Sequence, residues 1–182
     1  MKIIVDKVVG EEWMREACKF TSGKESTTMT LARVYGYEHS PMRTQRFMVR
    51  MYDIPSFVSV HFVRHDVGSG HFTPQVEPKD DTVHFVKSLR DDRGGEGKEG
   101  RLEPVNHMMD INAQALINMA RKRLCSKAHA ETIKVMKEIK RKVMLVDPDL
   151  AEAMVRECEY RRGCHEEKSC GYFKVRYFKE QK

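Results

Sequence analysis

Two neighbouring segments with different hydrophobic periods place the strongest constraint on how this chain can fold. In TQRFMVRMY (Thr44–Tyr52), Phe47, Val49 and Met51 face one way and the residues between them face the other. A period of two is typical of a half-buried strand. The next segment, IPSFVSVHFVRH, has Pro55 near its start and apolar residues at helical spacing, and proline is favoured at the first helical residue. Together the two segments predict a chain that mixes sheet and helix.

The remaining segments extend this α+β (α/β) prediction to both ends of the chain. KIIVD (Lys2–Asp6) predicts a first strand, and GEEWMREACKFT predicts the helix after it. We expect Asp110 to cap a helix over INAQALINMARKRLC and Asp147 to cap another that begins at Pro148. At the C-terminus, GYFKVRYFK alternates apolar and polar residues and predicts a last strand. Its alternating residues are Phe173, Val175 and Tyr177.

Length and composition bound the class of protein. The 182 residues, 40% of them hydrophobic, suffice for one globular domain, which we expect to span residues 1–182. No apolar run approaches the length of a transmembrane helix and the N-terminus lacks a signal-peptide core, so we expect a cytoplasmic protein without a membrane partner. The net charge of +6 fits an enzyme for phosphorylated ligands or a nucleic-acid binder. Because basic and acidic residues are interleaved, we do not expect a nucleic-acid partner.

A long glycine-rich segment interrupts the pattern of strands and helices. It covers about residues 66–104 and holds six of the eleven glycines. Loops of this length in a compact domain are usually functional or disordered. We predict a loop at the active site, with a short helical or strand piece around TVHFVKSL.

Arg64 and His65 fall at the end of the predicted helix, directly before this loop. Cations are favoured at a helix C-terminus because they compensate the helix dipole. The alternative is an anion site, because glycines let the backbone approach a phosphate closely. The spacing leaves both interpretations open.

A second polar pattern lies in NAQALINMARKRLC. Asn112 and Asn118 are nearly two helical turns apart, and Arg123 follows them in a basic group. Asparagine is unfavourable inside a helix, so two of them suggest tertiary hydrogen bonds. Such a patch suits a planar ligand that carries a phosphate or an acidic ring imide. A solvated helix face is the competing interpretation.

Cysteine and histidine concentrate near the C-terminus. The candidates, all within the segment 158–182, are Cys158, Cys164, His165 and Cys170. Zinc takes four Cys or His ligands, so a structural zinc is one interpretation. Because the adjacent Cys164 and His165 rarely ligate one ion, we favour thiols without metal and assign no metal ligands. Cys125 follows a basic group and could be a nucleophile, but we favour a packing role for it.

Three stretches together resemble the flavin-dependent thymidylate synthase (ThyX) family. EHSPMRTQRFMVRMYDIPSFVSVHFVRH resembles the family's H-x-[ST]-P-F-E-H motif, followed by a strand and a helix that ends in R-H-R. INAQALINMARKRLCSKAHAET resembles the family's N-x-R-[ST]-L-x-N-F-x-x-x-R-L-C-x-x-A-Q-W-E-I segment. ACKFTS, near the N-terminus, is similar to the family's A-A-R-V-S. The stretches follow the family's order and cover most of residues 17–65 and 112–133.

The resemblance implies a fold and a reaction. It implies an α/β homotetramer with a ThyX-like mixed sheet and long helices. The implied activity is the reductive methylation of dUMP to dTMP, with FAD as cofactor, NADPH as reductant and methylenetetrahydrofolate as carbon donor. In such enzymes the flavin supplies the redox chemistry and the protein supplies binding, orientation and electrostatics. No cysteine nucleophile is needed.

The resemblance also implies site residues. Arg123 matches the arginine that binds and polarises the pyrimidine, and we assign it the catalytic role. The implied substrate-binding residues are His61, Arg101, Arg123 and His129. The implied cofactor-binding residues are Thr21, Ser40, Arg64, His65, Asn112 and Asn118.

Several positions depart from the family's pattern. Asp66 replaces the third arginine of R-H-R, Pro74 replaces a serine, and Glu38 stands where a histidine is usual. Phe72 and Val76 replace a glutamate and an arginine in the same loop. Two alternatives therefore stand beside the synthase: an enzyme with an altered pyrimidine-nucleotide modification such as hydroxymethylation, and a non-catalytic nucleotide- or nucleic-acid-binding descendant.

Overall fold

The described residues, 1–64, 82–88 and 101–178, of the computed structural model contain four strands and eight α-helices, five of which follow the last strand. The strands are β1 (Lys2–Lys7), β2 (Arg46–Pro55), β3 (Thr82–Ser88) and β4 (Pro104–Asn112). The helices are α1 (Glu12–Ser22), α2 (Leu31–Tyr37), α3 (Ser56–Val63), α4 (Ala113–Arg123), α5 (Ala130–Val146), α6 (Pro148–Ala153), α7 (Glu157–Tyr160) and α8 (Tyr172–Phe178). A 3-10 turn, Ser40–Thr44, precedes β2.

The strands form one antiparallel sheet in the order β1-β2-β4-β3. At its centre Val49 of β2 pairs with Val5 of β1 and with Met109 of β4, and all three side chains are buried. Phe47 and Met51, which flank Val49 on the same face, are buried as well. The period of two predicted for this segment is confirmed, because one face of the sheet forms the floor of the core.

The helix α3, which follows β2 directly, is hydrogen-bonded at its start to the segment before β4. β2 runs to Pro55, which caps α3, so α3 begins at Ser56, one residue later than the sequence predicts. The backbone N–H of Ser56 donates to the Glu103 carbonyl at 2.7 Å, and that of Phe57 donates to the Arg101 carbonyl at 3.2 Å. The start of α3 is therefore tied to the chain that leads into β4.

The longest helix covers one face of the sheet. In α5, Met136, Ile139 and Val143 are fully buried at helical spacing, and α5 packs against β1 and α6. An apolar stripe at this spacing is what a helix needs to bury one face. In the sequence AHAETIKVMKEIKRKVMLV, the residues Ile133, Met136, Ile139 and Val143 form such a stripe and predict a helix, which the structure confirms.

Asp147 is the acceptor at the centre of a buried polar network. Its side chain accepts from the Leu150 N–H at 3.0 Å and caps α6, as predicted. Its other oxygen accepts from the Lys7 ammonium at 2.6 Å and the Tyr35 hydroxyl at 2.9 Å. Burial and the charge of Asp147 raise the pKa of Tyr35, so the phenol stays protonated and donates. The network joins β1, α2 and α6.

The cap predicted at Asp110 is wrong. β4 continues to Asn112, and the side chain of Asn112 caps α4 by accepting from the Ala115 N–H at 2.9 Å. Asp110 lies within β4 and pairs with Arg46 of β2 at 2.9 Å. The alternation of buried and part-buried residues along β4 shows why: the apolar residues before Ala113 follow the strand period, not the helical one.

The last strand predicted from GYFKVRYFK is also wrong. Residues Tyr172–Phe178 form α8. Residues that alternate along a strand are two positions apart, so the first and third of them are four positions apart. Two residues four positions apart also lie on one face of a helix. Phe173 and Tyr177 are such a pair, with ring centroids 4.7 Å apart, and the Val175 N–H donates to the Gly171 carbonyl at 3.0 Å.

Candidate functional site

Five cationic or titratable side chains gather beside the end of α3. We call them the basic cluster: His61, Arg64, Arg101, Arg123 and His129. Burial lowers the pKa of His61, and the charges of Arg123, Arg64, His129 and Arg101 lower it further. The five groups are therefore close enough to interact electrostatically. Mutual repulsion of this kind is relieved by a bound anion, so the cluster is a candidate anion site.

The ring of Phe57 packs beneath the basic cluster and orders it. The rings of His129 and His61 meet it edge-on, with centroids 4.6 and 5.5 Å away. The Arg101 guanidinium lies over the same ring, 5.5 Å from its centroid. Since Phe57 is 7% exposed, its ring is a buried surface against which Arg101 and the two histidine rings, from three separate segments, are packed.

The fold brings these residues together from separate elements. His61 lies on α3, Arg123 is the last residue of α4, and His129 caps α5 by accepting from the Glu131 N–H at 3.3 Å. Arg101 is fixed through its backbone, because its carbonyl also accepts from the Ser56 hydroxyl at 3.2 Å. The cluster therefore forms where two helix ends and one helix start meet.

Arg123 is held at the centre of this arrangement. Its guanidinium Nη2 donates to the His61 carbonyl at 2.7 Å. Burial and the charge of Arg64 lower the pKa of Arg123 from its usual value, although an arginine remains charged at any physiological pH. A half-buried guanidinium that is close to another cation binds anions strongly.

His61 has a fixed orientation. Its Nδ1 and the Thr132 hydroxyl are 2.8 Å apart, and Thr132 is fully buried in α5. Because the pKa of His61 is lowered, the ring is neutral at neutral pH. A neutral imidazole beside the arginines can form one hydrogen bond with a planar ligand, as donor or as acceptor, without adding positive charge to the site.

Thr21 and Ser40 line a second site, which we call the hydroxyl-lined cavity. Its volume is 620 Å³, within the range of small-molecule sites. It lies between the end of α1 and the 3-10 turn, and it is lined among others by Thr21, Lys24, Ser26, Thr28, His39 and Ser40. The Thr21 hydroxyl donates to the Ala17 carbonyl at 2.8 Å, so its oxygen remains an acceptor toward the cavity.

The two asparagines are used differently from each other. Asn112 is 2% exposed and caps α4. Asn118 is exposed, and its Oδ1 accepts from Arg121 at 3.2 Å and from Gln114 at 3.4 Å. Only Asn118 therefore lies inside the helix, and both of these partners belong to the same helix α4, so the bonds are local and not the tertiary ones predicted from the sequence.

Glu38 and Arg121 form an ion pair that the sequence gives no reason to expect. They are 83 positions apart, and the Arg121 guanidinium also stacks on the Tyr160 ring, 3.4 Å from its centroid. Although burial opposes it, hydrogen bonds from Arg121 and Gln114 lower the pKa of Glu38. Glu38 sits at φ 53° after α2 and directly precedes two residues of the hydroxyl-lined cavity. Glu38 departs from the motif that this stretch resembles, but that departure gives no indication of its partner Arg121.

The zinc candidates line a small cavity together with Cys125. Its lining includes Cys158, Cys164, His165 and Cys170, and its volume is 160 Å³. Within residues 1–64, 82–88 and 101–178, no three His, Cys, Asp or Glu side chains are grouped closely enough to hold a metal ion.

Some predicted positions lie outside the described residues. His65, Asp66 and Pro74 are among them, as are Phe72 and Val76. Arg64, the last described residue before them, ends α3 through its N–H, which donates to the Val60 carbonyl at 3.2 Å. The strand piece predicted around TVHFVKSL is β3. In the parts of the chain that are described, no helix is both long and apolar enough to cross a membrane.

Comparisons with known proteins show the fold. Neither the family models nor the curated proteins give a match to this chain. Among solved structures, a flavin-dependent thymidylate synthase ThyX from Helicobacter pylori complexed with FAD and dUMP is similar, with a TM-score of 0.65 and 12% identity over 86% of this chain and 100% of that one. A second structure of Thymidylate Synthase X (ThyX) from Helicobacter pylori, with FAD and dUMP, has a TM-score of 0.58 and 12% identity over 82% and 99%. The chain has a divergent ThyX-like fold, which confirms the fold predicted from the resemblance.

Proposed function

We propose that this protein is a flavin-dependent thymidylate synthase-like enzyme. It converts dUMP to dTMP by reductive methylation, with methylenetetrahydrofolate as carbon donor, FAD as cofactor and NADPH as reductant. The observation that carries the proposal is the basic cluster around Phe57 within a ThyX-like fold. Four of its members are the residues that the sequence resemblance assigned to the substrate.

The basic cluster suits a pyrimidine nucleotide. The arginines supply fixed positive charge for a phosphate, and Arg123 presents a planar fork that matches a ring carbonyl or imide. In the proposed reaction Arg123 withdraws electron density from the pyrimidine, which stabilises charge that develops on the ring. His61, Arg101 and His129 bind and orient the nucleotide, and His61 does so as a neutral ring.

The hydroxyl-lined cavity fits part of a flavin dinucleotide. Its lining combines hydroxyl groups with Lys24 and His39, which are the donors and charges that a ribityl chain and a pyrophosphate require. We assign Thr21 and Ser40 to this contact and Arg64, His65, Asn112 and Asn118 to the flavin side by resemblance. When bound, the flavin supplies the hydride for the reduction. The protein's own part is to orient it and to keep the substrate beside it.

We further propose a homotetramer in the cytoplasm. The similar structures are bound to FAD and dUMP, and the resemblance places such sites between subunits. Light scattering coupled to size exclusion measures the assembly directly. A monomer at the concentrations of an activity assay would contradict the tetramer.

A second candidate is a nucleotide-binding protein without flavin chemistry. The observation that favours it is the use of both asparagines within the protein, Asn112 as a helix cap and Asn118 in the network with Arg121 and Glu38. Such a protein would keep the basic cluster and bind dUMP, or would modify the base in another way. It would bind FAD weakly or not at all.

An absorbance titration separates these candidates. We expect added FAD to bind with a shifted flavin band, and dUMP to perturb that band further. Thr21→Ala combined with Ser40→Ala should weaken FAD binding and leave dUMP binding intact. Ser126→Ala, a serine whose hydroxyl contacts Arg156 instead, is the matched control. Binding of dUMP without any uptake of FAD would reject the synthase and support the second candidate.

A further inference from the structure

The outer face of the sheet, on the side opposite the core, is rich in apolar residues although it is not covered. We call it the open sheet face; it consists of the residues that alternate with the buried ones along the four strands. The buried residues of the strands pack with α3 and α5 in one core. An antiparallel sheet with one face in water normally carries polar residues on that face. Six residues of the open sheet face are instead apolar or aromatic: Ile4, Met48, Tyr52, Val83, Phe85 and Met108.

The register of the strands arranges the open sheet face in three rows that run across the strands. The middle row is formed by successive partners in the strand ladder, Ile4, Arg50, Met108 and Phe85. Phe85 is 53% exposed, and it lines a groove of 300 Å³ together with Arg50, Tyr52 and Met108 among others. An exposed apolar surface of this kind is typical of a site for another molecule, and the middle row is the centre of this one.

The two outer rows carry opposite charges. The acidic row contains Asp6, Met48, Asp110 and Val83, and the basic row contains Lys2, Tyr52, Asn106 and Lys87. Asp6 and Asp110 each pair with an arginine of β2, but 51% and 32% of their side chains remain exposed. Such exposed pairs are weak, so a further cation can approach both carboxylates. Exposed aromatic residues beside cations also bind single-stranded nucleic acid, but the acidic row disfavours a polyanion.

We propose that the open sheet face pairs with the same face of a second copy of this chain. The two-fold axis lies between the two sheets and runs across the strands, along the middle row. Rotation about this axis turns each strand end for end, so the acidic row of one copy faces the basic row of the other, and Lys2 faces the partner's Asp6. The middle rows face each other across two sheets that lie about 10 Å apart, and Phe85 and Met108 of both copies become buried. A two-fold axis along the strands would instead set each charged row against the same row, where like charges repel.

This pairing is isologous, because both copies use the same surface. It supplies one interface of the homotetramer proposed above, and it does not depend on the binding of FAD or dUMP. Association is measured on protein without ligand, and the reaction is measured separately. A pair without activity would support the pairing and contradict only the proposed reaction. An active monomer would contradict the pairing and leave the proposed reaction intact.

Charge-reversed variants of the whole chain test the pairing, with sedimentation velocity over a range of concentrations as the measurement. Lys2→Glu sets a glutamate against the partner's Asp6 at two symmetric places, and Asp6→Lys sets a lysine against the partner's Lys2 in the same way. We expect each variant alone to associate at least about tenfold more weakly than the unaltered protein, because like charges then face each other. In an equal mixture of the two variants, both places join opposite charges. We therefore expect the mixture to associate nearly as strongly as the unaltered protein.

Two further variants keep the pairing open to refutation if a charge-reversed chain misfolds. Met108→Glu, in the middle row, should also weaken association, whereas Lys134→Glu, the same charge change at an exposed position of α5, should leave it unchanged. The pairing is overturned if the unaltered protein is monomeric at all concentrations, or if the mixture associates no more strongly than either charge-reversed variant alone. It is equally overturned if the monomer binds a single-stranded oligonucleotide and Phe85→Ala abolishes that binding.

Discussion

Arg123 is the residue on which the proposed nucleotide site most depends. It ties the end of α4 to the end of α3 through the His61 carbonyl, and it carries a positive charge into the middle of the basic cluster. Two substitutions at Arg123 separate the contribution of its planar hydrogen-bonding geometry from the contribution of its positive charge. Lysine keeps the charge and loses the planar fork, whereas alanine loses both.

We predict that Arg123→Ala weakens dUMP binding at least tenfold. A hydrogen bond to a charged group contributes about 1.5–3 kcal/mol, and about 1.4 kcal/mol corresponds to a factor of ten in affinity. Arg123→Lys should recover part of the loss. Isothermal titration with dUMP measures both, and Arg33→Ala on α2 is the charge-matched control. Unchanged affinity in a folded Arg123→Ala protein would remove Arg123 from the site.

His107 provides a prediction for the pH dependence of stability. Its ring is 1% exposed, with Nδ1 3.0 Å from the Ser59 hydroxyl and Nε2 2.7 Å from Nδ1 of His84. Burial and the charge of His84 lower the pKa of His107 from 6.5 to about 4. Between these values the unfolded chain binds more protons than the folded one, so stability falls as the pH falls.

We therefore expect acid to unfold this protein partly through His107. Its contribution to the free energy of unfolding should decrease by about 3 kcal/mol between neutral pH and about pH 4, since each pKa unit is about 1.4 kcal/mol. Urea unfolding at several pH values measures the slope. His107→Gln should flatten it by about one proton, whereas His165→Gln, at an exposed position, should leave it unchanged. An equal slope in all three proteins would exclude His107 as the acid-sensitive group.

Residue positions within local motifs were the most predictable part of the site. His61 on α3, and Arg123 and His129 around the end of α4, come from two continuous stretches that resemble known motifs, and the structure brings them together around Phe57. The Glu38–Arg121 pair joins segments far apart in the chain. No local period or spacing predicts such a contact, because it depends on where the residue after α2 lies relative to α4.

At the scale of elements, the buried network at Asp147 is the joint between the sheet and two helices. Lys7 of β1 and Tyr35 of α2 both donate to a carboxylate that also caps α6. A buried carboxylate with three donors is stable only while all of them are present. Removing it leaves the part-buried Lys7 ammonium and the buried Tyr35 phenol without this acceptor.

We predict that Asp147→Ala lowers the free energy of unfolding by about 3–5 kcal/mol, the usual cost of breaking a buried ion pair. Asp149→Ala, in the first turn of the same helix and less buried, should cost less than about 1 kcal/mol. Urea denaturation of both variants makes the comparison. Equal losses would show that Asp147 acts only as one more acidic residue near a helix start.

Element types were predictable wherever a period persisted, and failed at two places for different reasons. β2 and α5 carry long, one-sided patterns, so their type followed from the sequence. α8 has only seven residues, and alternation over that length is compatible with a helix pair at Phe173 and Tyr177. The sequence did not predict β4, because Asp110 has the residue type of a helix cap. In the structure the Asp110 carboxylate pairs with Arg46 on the neighbouring strand.

At the scale of the whole molecule, α4 connects the two proposed binding regions. Arg121 pairs with Glu38, which precedes His39 and Ser40 of the hydroxyl-lined cavity. Arg123, two residues further along, belongs to the basic cluster. The overall fold agrees with the resemblance seen in the sequence, although identity to the similar structures is only 12%. A packed core tolerates such divergence because many apolar combinations of similar volume fill it.

The central claim is that the basic cluster and the hydroxyl-lined cavity serve one reaction. The most direct test incubates the protein with dUMP, FAD, NADPH and methylenetetrahydrofolate labelled at the methylene carbon, and analyses the nucleotides by mass spectrometry. The account predicts labelled dTMP that requires both FAD and NADPH and is lost in Arg123→Ala. Unlabelled dUMP recovered from protein that has bound both FAD and dUMP would contradict it.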